Sequence, residues 1–245
     1  MKRINYLLRI EYIGTNYFGW QKQKDVQTVQ GVLEECLRII FKEKIKLIGS
    51  GRTDIGVHAL NQGANFISSK KIEEDKLRYQ INSLTPGDIV IKEVKEVEKD
   101  FHARRSAVER EYRYFILNRR FPSAYFSNYS HLVPEKLEIK EMKEATKYFI
   151  GKHNFYPFCL GEKSVDETIR KVTFMDVSKE NDWVMIEIKA NSFLHKMVRI
   201  IGGILVQIGK GKCSSGLVEE LFENKKKYNK HILPPHGLFL SDVRF

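Results

Sequence analysis

The stretch SFLHKMVRIIGGILVQIG, residues 192–209, constrains the fold more than any other part of the chain. Between Met197 and Ile208 it is apolar on nearly every side, so as a helix it belongs deep inside a core. It is too short for a membrane span and carries Arg199. A guanidinium in such surroundings is costly unless an anion meets it, so Arg199 demands a carboxylate or a phosphate; the alternative is that it snorkels to the surface along its own stem. Gly202 and Gly203, one turn later, permit close approach by another backbone, which favours a paired, buried site. A chain of 245 residues, 42% hydrophobic and 30% charged, has ample material for such a core.

Around this helix the pattern alternates strands with helices. NYLLRIEYIG (5–14) mixes alternation with aromatic and β-branched residues and reads as a strand. TVQGVLEECLRIIFKEK (28–44) places Thr28 to cap a helix with apolar residues at 29, 32, 33, 36, 37 and 40. IKLIGS is a short strand, the glycine-rich run after it a loop, and QGANFIS a strand. Residues 73–83 read as a helix that stops before Thr85-Pro86-Gly87. DIVIKEVKEV is a further strand and SAVEREYRYFILN a longer one. The segment 118–134, NRRFPSAYFSNYSHLVP, is loop-like, with two prolines and several polar aromatics. Beyond it come a helix closed by Gly151, an irregular KHNFYPFCLGEKS, and strands over about 166–178 and 183–190. The long helix then begins near Asn191 or Ser192, another follows near 215–223, and GLFLSDVRF is a strand. Mixed antiparallel-type strands and helices in both halves make this an α+β chain, divided into an N-terminal half 1–117, a connecting segment 118–134 and a C-terminal half 135–245. The lysines of ENKKKYNKH read as a solvated face.

Composition narrows the function. MKRINYLLRIEY opens basic, but Arg9 and Glu11 interrupt any signal-like apolar run, which makes the cytoplasm the expected compartment. Cys36, Cys159 and Cys213 lie far apart with no C-x-x-C pair, and seven histidines are scattered without H-x-x-x-H spacing, so neither a metal site nor a redox pair is indicated. Lys and Arg number 42 against 31 acidic residues, and a formal charge of +11 favours a polyanionic partner through counterion release. A lysine-rich surface without a specialised partner gives the same count.

GSGRTDIGVHAL (49–60) packs three glycines, an Arg, a Thr, an Asp and a His into twelve positions. Asp54 beside Gly56 suits a plain turn. Arg52, Thr53 and His58, all following a core strand, suggest more. Were Asp54 to meet Arg199, the pair would keep the carboxylate ionised at neutral pH, ready to serve as nucleophile or base. A third piece is ARRSAVEREYRYFIL. Continued strand alternation puts Arg104, Ser106, Val108, Arg110, Tyr112, Tyr114 and Ile116 on one face. Arginine interleaved with tyrosine suits a phosphate backbone and a stacked base, and equally an ordinary strand with core tyrosines and exposed arginines. NYFGWQKQ (16–23) is likewise open between a structural turn and an RNA contact.

GRTDIGVHA (51–59) resembles the GRTDxGVHA signature of the tRNA pseudouridine synthase A family. YFGWQKQ, TVQ, NSLTPGDI, DFHARRSA, REYRYFI, NSFLHKMVR and PPHGLFL resemble further family motifs in the same order, across almost the whole chain. The resemblance implies two α+β halves, each an antiparallel sheet flanked by helices, packed around a basic cleft. It implies isomerisation of uridine to pseudouridine on the 3′ side of the tRNA anticodon stem-loop, by a homodimer using no metal or cofactor. Asp54 matches the catalytic aspartate, Tyr112 the tyrosine over the target base, and Arg199 the basic partner of the carboxylate. Arg52 matches the arginine that helps extrude the nucleotide, and Leu238 the leucine lining the uracil pocket. Arg104 and Arg110 are the expected RNA contacts. The chain departs from the family pattern at Ile55, often alanine; at Glu111, often basic; and in HNFYPFC.

The chemistry requires that C1′–N1 break, that the uracil rotate, and that C5 bond to C1′ before its proton leaves. A stacked base cannot do this, so it must be flipped out. Asp54 as attacker of C1′, as attacker of C6, or as base at the 2′ position all remain open, as does the group that removes the C5 proton, with Tyr112 a candidate. Two other classes use the same residues: a non-catalytic RNA-binding module, and an RNA hydrolase with Asp54 as base and His58 as acid.

Overall fold

The computed structural model describes residues 3–161, 168–225 and 228–245. In chain order its strands are β1 (Ile4–Tyr12), β2 (Ile48–Gly49), β3 (His58–Ser68), β4 (Ile89–Val97), β5 (Glu109–Leu117), β6 (His131–Leu132), β7 (Gly151–Asn154), β8 (Ile169–Glu180), β9 (Trp183–Ala190) and β10 (Leu238–Arg244). The α-helices are α1 (Val29–Phe41), α2 (Glu74–Leu84), α3 (Ala103–Ser106), α4 (Ile139–Thr146), α5 (Met197–Gly209) and α6 (Leu217–Phe222). The chain forms two compact units, Met1–Val108 with Phe239–Phe245, and Glu109–Leu238. This division falls before the segment 118–134 expected to connect the halves, because β5 pairs along its whole length with β9. Residues 239–245 return to the first unit.

In the first unit the strands run β4–β1–β3–β10, with β2 on β3. β1 is antiparallel to both neighbours, Leu8 lying opposite Ala64 and Val94. β10 is parallel to the start of β3, Phe239 opposite His58 and Leu240 opposite Ala59. Tyr6, Leu8, Ile10 and Tyr12 project from one face of β1 and are buried. α1 covers them, its Phe41 ring 6.3 Å from Tyr6 and 5.6 Å from Phe66. The helix starts as the sequence predicts: Thr28 Oγ1 accepts from the Gly31 N–H at 3.2 Å.

In the second unit the order is β5–β9–β8–β7, all antiparallel, with β6 parallel to β5. Register stacks apolar rows across the sheet: Tyr112, Ile188 and Met175 in one, Tyr114, Ile186 and Val177 in the next, all buried. Every residue of α5 except Arg199 and Gln207 is buried. The helix begins at Met197 rather than near residue 192. Lys196 sits at φ +60°, in the left-handed region, so a right-handed helix cannot run through it. The expected strand from 106 also starts later, at Glu109, since 103–106 form the helical turn α3. Of the strand expected from 166, residues 166 and 167 lie outside the described residues, as do Lys226 and Lys227 of the lysine run and residues 162–164 of the irregular segment. Among the described residues no helix is long and apolar enough to cross a membrane.

Candidate active site

The Asp54 loop joins β2 to β3 in the first unit and is anchored almost residue by residue. The Ser50 N–H donates to Gly63 O at 2.8 Å, and Gln62 Nε2 donates to Gly51 O at 3.1 Å. Thr53 is buried; its carbonyl accepts from the Trp20 N–H at 3.2 Å, and its hydroxyl meets the Tyr12 hydroxyl at 2.8 Å. Asp54 follows, half-buried, and opens a turn in which its carbonyl accepts from the Val57 N–H at 3.2 Å. Arg52 and Ile55 are exposed on either side. Ile55 stands at the turn with 57% of its surface open.

The partner of this loop is the NYFGWQKQ segment. Tyr17 and Trp20 are buried, and Tyr17 Oη donates to Asp88 Oδ1 at 2.5 Å. Gly19 adopts φ +80°, and a Cβ there would lie 2.6 Å from Thr53 O, so a side chain is excluded where the two loops touch. Gln30, second residue of α1, gathers the far side of the segment. Its Oε1 accepts from Gln21 Nε2 at 2.7 Å and from the Lys22 N–H at 2.8 Å, while its Nε2 donates to Leu47 O at 2.9 Å. Tyr12, Gly19, Gln30 and Gln62 were invisible as site residues in the sequence. A glycine set among aromatics, Tyr17-Phe18-Gly19-Trp20, is the one local signal of a close approach.

His58 is buried, its Nδ1 accepts from the Gly14 N–H at 3.0 Å, and its ring stacks on Phe239 at 4.6 Å. Arg104 is exposed on α3, placed by the Ala103 N–H donating to the buried Asn65 Oδ1 at 2.8 Å. It therefore does not share a strand face with Tyr112, as continued alternation had suggested.

The second unit holds the remaining residues. Tyr112 is 7% exposed, its ring edge-on to Phe193 at 5.0 Å. Arg110 shares its face and is buried, with Nη1 donating to Asn191 O at 2.6 Å. Glu111 points to the opposite face, where Arg113 at 2.8 Å and Lys189 at 3.1 Å neutralise it. Arg199 is half-buried near the start of α5. Its Nε donates to Leu233 O at 2.6 Å, and its own carbonyl accepts from the Leu233 N–H at 3.2 Å. The two glycines admit this neighbouring segment, as the sequence anticipated: a Cβ on Gly203 would overlap the His231 carbonyl oxygen, and one on Gly202 would press on Leu233. Tyr114, beneath them, donates to Pro234 O at 2.9 Å, and burial raises its phenol pKa well above the ordinary value. Leu238 is 5% exposed at the head of β10.

The tRNA pseudouridine synthase family model matches residues 9–104 and 145–245, spans that include the Asp54 loop, α5 and the head of β10. A tRNA pseudouridine synthase A from Caldicellulosiruptor bescii is 45% identical over 240 residues, 98% of both chains. This chain belongs to the tRNA pseudouridine synthase family. A protein of the same name from Thermoanaerobacter pseudethanolicus is also 45% identical over 98% of each chain, and a tRNA pseudouridine synthase A 2 from Clostridium perfringens is 40% identical over the same share. The α+β architecture is accordingly that of a pseudouridine synthase. Arg110 and Tyr112 fall between the two spans matched by the family model.

Proposed function

We propose that this synthase isomerises uridines on the 3′ side of the tRNA anticodon stem-loop, working as a homodimer in the cytoplasm, with Asp54 as its reactive carboxylate. The observation that carries this reading is the mounting of the Asp54 loop. Thr53 is buried and bonded through both its carbonyl and its hydroxyl, while Arg52 before it is exposed. A loop that serves only as a turn has no need of so rigid a base, whereas a reacting carboxylate does.

In this reading Arg52 occupies the space left by the flipped nucleotide, Tyr112 stacks on the extruded uracil, and Leu238 lines its pocket. Arg199 serves as the basic partner of Asp54. Arg104 and Arg110 contact the RNA backbone. The C1′–N1 bond breaks, the uracil turns, C5 bonds to C1′, and the C5 proton leaves as N1 gains one. The rearrangement is redox-neutral and conserves every heavy atom, so it requires no oxidant and no second substrate.

Asp54→Asn keeps the side chain's shape and removes its charge. We expect it to retain the fold and tRNA binding while releasing no tritium from tRNA labelled at uridine C5. Appreciable turnover would remove Asp54 from the mechanism. RNA of unchanged length on a gel, together with a pseudouridine-selective label, separates isomerisation from hydrolysis.

A further inference from the structure

We infer that Tyr12 and Gln62 are positioning residues, which fix the Asp54 carboxylate by tying the loop that carries it to the sheet at three points. This rests on the reading of Asp54 as the reactive group. Tyr12 ends β1 and Gln62 lies in the adjoining strand β3, where register places it opposite Ile10. Both are therefore mounted on regular sheet, and each reaches back to the loop. Gln62 accepts from Ser50 Oγ through its Oε1 and donates to Gly51 O through its Nε2. Tyr12 holds the Thr53 hydroxyl at 2.8 Å. The side chains of Ser50, Thr53, Gln62 and Tyr12 make two polar links, Gln62 to Ser50 and Gly51 and Tyr12 to Thr53, which bracket Arg52 and end one residue before Asp54.

These links are closed to water. Exposure is 0% at Gln62, 1% at Ser50, 2% at Tyr12 and 7% at Thr53. Packing alone would be served better by apolar groups of the same volume, since a buried hydroxyl or amide must be fully hydrogen-bonded merely to break even. A network of this kind fixes one arrangement among several apolar alternatives. Burial also pushes the Tyr12 phenol well above its usual pKa, so it stays a neutral hydrogen-bonding group at physiological pH. On the other flank Gly19 and Trp20 press against the Thr53 carbonyl, leaving the backbone before Asp54 no slack in either direction.

The predicted consequence is a loss in chemistry with little loss in binding. Misplacing a reacting group by about 1 Å costs on the order of 100-fold in rate. Tyr12→Phe and Thr53→Val should each lower kcat by about 10- to 100-fold while KM for tRNA stays within about threefold. Thr53→Ser, which keeps the hydroxyl, should run close to the parent rate. Because the two variants break the same contact, the double variant should be no slower than the worse single. A Tyr12→Phe kcat within about twofold of the parent, losses that multiply in the double variant, or an effect confined to KM would each overturn the inference. Should Tyr12→Phe lower the melting temperature into the assay range, the comparison of Thr53→Ser with Thr53→Val carries the same decision without disturbing the ring. Asp54→Asn run in parallel separates the two ideas. If it turns over, the assignment of Asp54 fails; if it is inactive and Tyr12→Phe is not slowed, only the positioning role fails.

Discussion

At the scale of single residues, Tyr112 presents a ring whose orientation is already set by Phe193 before any base arrives. Tyr112→Phe preserves that ring and should keep most of the tRNA affinity. If the hydroxyl takes the C5 proton, product formation stalls after glycosidic cleavage, which single-turnover assays would detect as cleaved but unreleased tritium. A rate equal to the parent confines Tyr112 to stacking. Tyr112→Ala should weaken the flipped state by about 1–3 kcal/mol, the stacking energy of one base. His131 supports a prediction of another kind. Burial, followed by the positive charges of His236, Lys210 and His231, depresses its pKa from 6.5 to about 4, with Glu135 opposing. The unfolded chain therefore takes up the proton first, and stability is present above pH 6.5 and lost as the pH falls towards 4. The side chain is partly open to solvent, so the loss is about 1–2 kcal/mol rather than the full linkage value. His131→Gln should flatten this limb in denaturant titrations across the same window. A limb of unchanged slope would assign it to other groups.

At the scale of elements, α5 is held against the 231–233 segment by the absence of a side chain. Gly203→Ala sets a methyl group against the His231 carbonyl, a backbone atom that cannot swing aside. We expect a loss of about 1–3 kcal/mol in chemical denaturation, with a weakened Arg199–Leu233 contact. An unchanged denaturation midpoint would show that the segment moves freely. This packing was legible in advance because an all-round apolar helix with paired glycines states its own environment. So was the start of α1, since the Thr28 cap bonds a residue only three positions away. The start of α5 was not legible. Ser192 offers a plausible cap, but the left-handed turn at Lys196 is imposed from outside the local pattern. The same holds for α3, whose Ala103 N–H is claimed by Asn65 from another strand, while the Arg104-Ser106-Val108 alternation reads as sheet by coincidence. Asp54, Arg199 and Tyr112 were nameable from their motifs. The mounting of the Asp54 loop was hidden, because Tyr12, Gly19 and Gln62 reach it only through tertiary contacts.

At the scale of the whole molecule, the proposed site residues are drawn from both units. Arg52, Asp54 and Arg104 belong to the first, and Arg110, Tyr112, Arg199 and Leu238 to the second. Pairing of Asp54 with Arg199 is therefore best tested by a thermodynamic cycle. Arg199→Met should abolish turnover in the tritium-release assay. Combined with Asp54→Asn, it should be less destabilising than the sum of the singles by about 1–3 kcal/mol. Strict additivity would dissolve the pair. The parallel strand β10 has a further bearing on how the enzyme comes into being. Residues 239–245 complete the first unit, pairing with His58 and Ala59 as the Asp54 loop re-enters the sheet, and they do so only after all of Glu109–Leu238 has been made. On the ribosome the N-terminal unit therefore waits, with the start of β3 lacking β10 beside it, until the second unit has emerged. Such distant closure is slow. It also delays the pairing of His58 and Ala59, so that a nascent chain bearing every residue of the GRTD motif has yet to receive the strand that pairs just beyond it.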